Sequence, residues 1–197
     1  HTWQAALRAA GAGCHAVDLV MSGECENAFC AVRPPGHHAE KANPMGFCFF
    51  NNIGVAARHA LKKHGLERVA IIDFDVHHGN GTEDCFAGDD QVLMCSIFQH
   101  PFYPYCGTEK PAANMCNVPL AAGCGGEEFR DAVLQVWTPR LKEFKPQMIF
   151  ISAGFDGHYE DDMGGLKLLE KDYAWCTEHL KNLAAEMCDK RIVSMLE

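Results

Sequence analysis

Several short stretches of this 197-residue chain are apolar at consecutive positions rather than alternate ones, and this restricts the fold more than any other feature. Val69-Ala70-Ile71-Ile72 runs into Asp73, and Met148-Ile149-Phe150-Ile151 runs into Ser152. A strand that is apolar on both sides must be covered on both sides. Ala28–Val32, Gln91–Ile97 and Arg191–Leu196 read as further strands, the first short and buried. Between them lie segments of helical periodicity: Trp3 to about Val20, Ile53–His64 with Gly65 as its stop, Glu127–Phe144 with a bend at Pro139, and Asp172–Cys188. Strands that alternate with helices predict an α/β fold, a parallel sheet with helices on both faces. Residues 1–197 read as a single domain without repeat or linker. The stretch from Phe98 to Gly126 reads as one long irregular loop, rich in Pro, Gly, Cys and aromatics.

Composition excludes several classes. The net charge of −9 argues against nucleic acid, which needs a basic footprint. No apolar run approaches the roughly 18–20 residues that span a bilayer, and the N-terminal stretch lacks the layout of a signal peptide. Eleven cysteines occur without any C-x-x-C pair. They read as small buried hydrophobes of a reducing compartment, which places the protein in the cytoplasm. Gly11-Ala12-Gly13-Cys14-His15-Ala16 imitates a dinucleotide loop but follows a helix, so that context is missing.

In a parallel sheet, sites form beyond the carboxyl ends of the strands, and the polar clusters fall there. Asp73-Phe74-Asp75-Val76-His77-His78-Gly79-Asn80-Gly81 follows one strand. At a two-residue repeat Asp73, Asp75 and His77 project to one side. Oxygen and nitrogen ligands suit Zn²⁺ or Fe²⁺. Asp156, in Ser152-Ala153-Gly154-Phe155-Asp156, is placed to give the third ligand and leave a position open for water or substrate. In Arg33-Pro34-Pro35-Gly36-His37-His38-Ala39-Glu40, a rigid turn presents two histidines suited to proton transfer near neutrality. Asp73 and Asn80 are the candidates to fix their tautomers. The aromatics of Gly46-Phe47-Cys48-Phe49-Phe50-Asn51-Asn52 read either as a channel lining or as packing ahead of the next helix.

Together these four motifs, in this order and over about 120 residues, resemble the zinc-dependent histone deacetylase family of the arginase–deacetylase fold. The resemblance implies one Zn²⁺ held by Asp75, His77 and Asp156. It implies a general base and acid in His38, an electrostatic partner in His37 supported by Asp73, and Asn80 as the orienter of His38. It implies a substrate tunnel at Gly46, Phe47 and Tyr103. It also implies potassium at Asp73, Asp75, His77, Ser96 and Ile97, and a second, weaker potassium position near Phe86, Asp89, Val92 and Asn114. The implied substrates are an acetylated lysine peptide or an acetylpolyamine, with no nucleic acid and no membrane as partner.

The chain departs from the pattern in four places. Asn80 stands where class I enzymes carry Asp, which resembles the class II branch. Tyr103 stands where the second tunnel wall usually has Phe. None of Tyr103, Tyr105, Tyr159 and Tyr173 follows the Gly-Gly that precedes the family's catalytic tyrosine; the resemblance places that tyrosine past Glu197. The first strand and the rim loop fall before His1. The chain is therefore expected to be truncated at both ends and, by itself, weakly active or inactive. The competing readings are an acetylpolyamine deacetylase, a two-manganese arginase-like hydrolase, and a metal-binding chain without turnover. Cys48 and Cys106 are candidates for redox control.

Overall fold

The structure, a computed structural model, describes residues 1–197. Six strands form one sheet in which every neighbouring pair is parallel. In chain order the elements are α1 (Thr2–Ser22), β1 (Asn27–Cys30), α2 (Asn52–Lys63), β2 (Val69–Asp73), α3 (Asn80–Phe86), β3 (Val92–Gln99), β4 (Met115–Leu120), α4 (Gly126–Ala132), α5 (Thr138–Phe144), β5 (Ile149–Ala153), α6 (Glu170–Met187) and β6 (Ile192–Leu196).

Every residue of β2 and β5 is buried, as strands apolar on both sides require. Successive side chains go to opposite faces. Val69 and Ile71 pack with α1 and α2 through Val17, Ile53, Ala56 and Ala60. Ala70 and Ile72 pack with α4, α5 and α6 through Phe129, Trp137, Leu141 and Leu180. Gly13 of the false dinucleotide motif sits inside α1, where a β-carbon would lie 2.9 Å from that of Ala56 in α2.

The order β1-β6-β5-β2-β3-β4 fixes where a site can form. From β2 the chain runs outward through β3 to β4, then returns to lay β5 on the other side of β2. The crevice between β2 and β5 is the switch point, and their carboxyl ends open into it. Register places Asp73 between Ser96 of β3 and Ser152 of β5.

Three expectations need correction. The expected loop from Phe98 to Gly126 contains strand β4 and the last turn of β3. Pro119 hides β4 from sequence reading, because proline cannot donate to a ladder; it is tolerated because β4 is the sheet edge. β1 is shorter than expected and is also an edge strand; Phe29 is 54% exposed. The bend expected at Pro139 is a π-helical turn, Val133–Trp137, just before it. Thr138 donates its N–H to the Val133 carbonyl, and its hydroxyl donates to the same oxygen at 2.9 Å.

Phe150 is fully buried in central β5, whereas Phe29 is half exposed at the edge. Phe150→Ala is expected to cost about 3–5 kcal/mol and Phe29→Ala less than about 1 kcal/mol, read as shifts of the urea midpoint. Equal shifts would contradict this placement of core and edge.

Candidate active site

Beyond Asp73 the chain leaves the strand, so a two-residue strand repeat is not what gathers the carboxylates. Turns closed by side chains do it instead. Asp73 Oδ1 accepts from the Asp75 N–H at 3.2 Å, and Asp75 Oδ1 accepts from the His77 N–H at 2.8 Å. Each is an aspartate bonding the amide two residues on. After β5, Asp156 Oδ1 accepts from the Val76 N–H at 2.9 Å, which locks the two strand ends together.

The result is one point of convergence. His77 Nδ1 lies 3.0 Å from Asp75 Oδ1 and 2.9 Å from Asp156 Oδ2. Burial works against a charge on His77, but the bonds to Asp156 and Asp75 outweigh it and raise its pKa to about 9. Burial also raises the pKa of Asp156, opposed by its bond to His77. Two carboxylates so close must share a positive charge. With one imidazole nitrogen and two carboxylate oxygens as donors, the trio fits a divalent cation such as zinc. Gly154 permits the approach: a β-carbon there would collide with the Asp75 carboxylate.

His37 and His38 follow β1 and lie across the same crevice, both buried. His37 Nδ1 is 3.0 Å from Asp73 Oδ2, and its Nε2 is 3.8 Å from Asp75 Oδ1. Burial disfavours its charge, but Asp73 and Asp75 prevail and hold its pKa well above the ordinary value. His38 Nδ1 is 2.8 Å from Asn80 Oδ1, while Asn80 Nδ2 donates to Glu40 Oε1 at 2.8 Å. Glu40 therefore sets the orientation of the amide, and the amide makes His38 carry its proton on Nδ1. Burial, then the charge of His37, lowers the His38 pKa to about 3, so this ring is neutral.

A cavity of about 880 Å³ opens over these groups. Gly46, Phe47 and Tyr103 line it, together with Phe102, Phe155 and Met163. The Tyr103 ring meets that of His38 edge-on at 5.1 Å between centroids, and Phe102 stacks on His77 at 5.3 Å. Phe47 is 77% exposed and forms the rim. Phe49 and Phe50 face a separate depression, and Phe50 packs against Trp3.

The residues expected at potassium sites are partly engaged. Ser96 pairs with His78 Nδ1 at 3.1 Å, and Ile97 is buried in the core. At the second position the carbonyls of Phe86, Asp89 and Val92 do converge, but on the side-chain nitrogen of Asn114, at 2.8, 3.0 and 2.9 Å. The amide occupies that point itself. Cys48 and Cys106 both have thiol pKa values pushed up to about 11, chiefly by burial, which opposes a reactive thiolate.

Sequence reasoning missed the residues that hold the histidine segment. Asn51 caps α2 through the Gly54 N–H at 2.8 Å and donates to the Ala39 carbonyl at 3.2 Å. An asparagine just before a helical run is an N-cap signal that could have shown this. Asn52 donates to the Pro34 carbonyl at 3.0 Å, and the Thr82 N–H to that of His37 at 3.1 Å. Glu197 is the most distant. Its Oε2 accepts from the Gly36 and His37 amides at 2.6 and 3.0 Å, and its Oε1 from the Ser152 hydroxyl at 2.9 Å.

A model of the histone deacetylase domain matches residues 1–197. The chain belongs to the histone deacetylase family. Relatives of this family include a probable deacetylase of Archaeoglobus fulgidus, 42% identical over 98% of this chain and 55% of its own length. The human polyamine deacetylase HDAC10 is 36% identical over the whole chain and 30% of its own length. Among solved structures, the HDA15 HD domain superposes with a TM-score of 0.89 at 34% identity, covering 98% of this chain and 58% of that one. The chain thus spans about half, or less, of the family members it matches. The part aligned with the HDA15 HD domain carries the six-stranded parallel sheet described above.

Gly154→Ala is expected to push the Asp75 carboxylate out of the trio and lower zinc affinity by about 10–100-fold. Equilibrium dialysis with circular dichroism as a folding check would measure it. Zinc uptake equal to that of the unaltered chain would remove Asp75 from the ligand set.

Proposed function

We propose that this chain carries the metal and histidine machinery of a zinc-dependent deacetylase that hydrolyses acetyl-amides, acetyl-lysine in proteins first among them. The carrying observation is the convergence of Asp75, His77 and Asp156 directly beside the His37–His38 pair. Asp75, His77 and Asp156 would hold Zn²⁺. A zinc ion there supplies Lewis-acid polarisation of a carbonyl and brings the acidity of water toward neutrality.

The remaining chemistry belongs to side chains. His38 keeps its proton on Nδ1 because Asn80 Oδ1 accepts it, so Nε2 is free to take a proton from water and later return one to the departing amine. His37, charged through Asp73, places a fixed positive charge next to the developing negative oxygen. Phe47, Phe102 and Tyr103 would line the path of the aliphatic stem that carries the acetyl-amide to the trio. Potassium at Asp73, Asp75, His77, Ser96 and Ile97 belongs to this reading as the resemblance implies it, with Asp73 at the end of β2 register-paired to Ser96 inside β3. All eleven cysteines are free, and no helix is long and apolar enough to cross a membrane; a cytoplasmic setting accords with free thiols.

A second reading, an acetylpolyamine substrate, draws on the acidic mouth. Asp161 and Asp162 line the cavity against a single arginine, Arg33. The human relative named a polyamine deacetylase points the same way.

The full-length protein containing this chain should release acetate from an acetyl-lysine peptide and lose that activity on zinc chelation. His38→Ala and Asp156→Ala should each reduce kcat/KM by at least about 100-fold. Zinc-dependent turnover retained in either variant would rule out the role of the residue replaced. Acetylputrescine turned over much faster than peptide would favour the second reading.

Asn80→Leu removes the acceptor from His38 Nδ1 while keeping the volume. A kcat reduced about 100-fold with KM little changed is expected from steady-state kinetics. An unaltered kcat would show that Asn80 does not set the tautomer.

A further inference from the structure

A second group of metal-type donors lies where α1 crosses the end of α2. Asp18 stands on α1, His59 in the last two turns of α2, and His64 at its C-cap. His59 Nε2 is 2.8 Å and His64 Nε2 is 2.7 Å from the same oxygen, Asp18 Oδ1. Lys63 Nζ takes the other oxygen, Oδ2, at 2.8 Å. The two imidazoles are 5.7 Å apart between centroids and crossed at 68°. Both histidine side chains are 21% exposed, so the point is sheltered but reachable. The start of α2 touches the His37–His38 segment through Asn51, so His64 lies about 18 Å of helix away from the cavity.

We propose that Asp18, His59 and His64 form a surface site for a borderline divalent transition-metal cation of the Zn²⁺ kind. Two imidazole nitrogens and one carboxylate oxygen are the donor set such cations prefer, and three protein ligands leave room for water. The three ligand atoms lie within 4.8 Å of one another and come from two helices packed together, so little ordering is left to do. Both rings aim at one carboxylate oxygen, and Lys63 takes the other. A cation with bonds of about 2.1 Å separates its ligands by roughly 3.4 Å. Each ring need therefore withdraw from Asp18 Oδ1, at 2.8 and 2.7 Å, by only about 0.6–0.7 Å, a small rotation about its side-chain torsions. The carbonyls at the C-terminal end of α2 add a negative field that favours a cation. Lys63, His59 and His64 hold the Asp18 carboxyl well below the usual range, so it is ionised wherever the imidazoles are neutral.

Lys63 is the opposing group. Its ammonium must leave Asp18 when the cation enters, and at 55% exposure it is free to swing into solvent. This separates a metal site from a cluster of ion pairs. In an ion-pair cluster Lys63 is a contributor; in a metal site it is a competitor.

The proposal is independent of the deacetylase reading. Chelator-stripped full-length protein is titrated with Zn²⁺ in a calorimeter beside His59→Ala, His64→Gln and Lys63→Ala. The unaltered protein should take up one more zinc ion per chain than either histidine variant. That difference reads the α1–α2 site whatever the cavity holds. Lys63→Ala should bind the extra ion about tenfold more tightly, the effect of one removed positive charge near the surface. Equal zinc stoichiometry in the unaltered protein and both histidine variants would overturn the proposal, and so would weaker binding in Lys63→Ala. An ion-pair cluster alone would lower the melting temperature of all three variants in chelator without changing stoichiometry, and that result also overturns it.

Discussion

Two carboxylates, on the segments that follow neighbouring strands and 81 positions apart in the chain, meet on one imidazole nitrogen, and the rest of the molecule is arranged to make that tolerable. Asp75 and Asp156 repel each other, and in a buried crevice that repulsion is strong. The backbone offsets it with donors. The amides of Val76 and His77 each point at one of the carboxylates. Those amides are available only because the chain turns away from strand geometry after Asp73. The approach also needs β2 and β5 to be adjacent and parallel, so that both ends open on the same side. The apolar runs at Val69–Ile72 and Ile149–Ile151 thus do more than form a core, because their parallel pairing sets the spacing of the segments that carry the two carboxylates.

Around the trio, a chain of side-chain hydrogen bonds fixes the two histidines. Glu40 orients Asn80, Asn80 orients His38, and Asp73 orients His37. A buried network like this is valuable when complete and costly when broken. It also gives two adjacent histidines opposite electrical characters. His37 faces two carboxylates and carries charge; His38 faces a neutral amide and that charged neighbour, and carries none. The general-base role proposed for His38 depends on that asymmetry, since a proton acceptor must start empty. The asparagine at position 80 keeps it by adding a dipole without adding a second negative charge.

Much of this was legible in the sequence, and the residues show why. Consecutive apolar positions announced β2, β3 and β5, because a buried strand has no other way to be written. The D-x-D-x-H-H-G stretch, the Pro-Pro-Gly-His-His turn and Asp156 announced the site, because few other uses exist for such groups at strand ends. What stayed hidden was non-local or locally contradictory. β4 carries a proline that argues against a strand and is allowed only by its place at the edge. Phe102 and Tyr103 stand side by side, and only the folded loop shows that Phe102 covers His77. The strand repeat grouped Asp75 with His77, and turns rather than pleats bring them together. Asn114 looked like a neighbour of a cation position, but its side-chain nitrogen fills the position itself.

Glu197 has a consequence for how the site comes into being. Its carboxylate bridges amides 161 and 160 positions earlier in the chain, and the hydroxyl of Ser152 on the adjacent strand. Loops of that length close slowly and late, and contacts of high sequence separation are made near the end of folding. The histidine segment is therefore clamped only once β6 has docked between β1 and β5. Local opening of β6 would release the Gly36–His37 backbone in the same event, so the histidine pair and the last strand belong to one cooperative unit. Hydrogen exchange at those amides then reports on the integrity of a strand that they do not belong to.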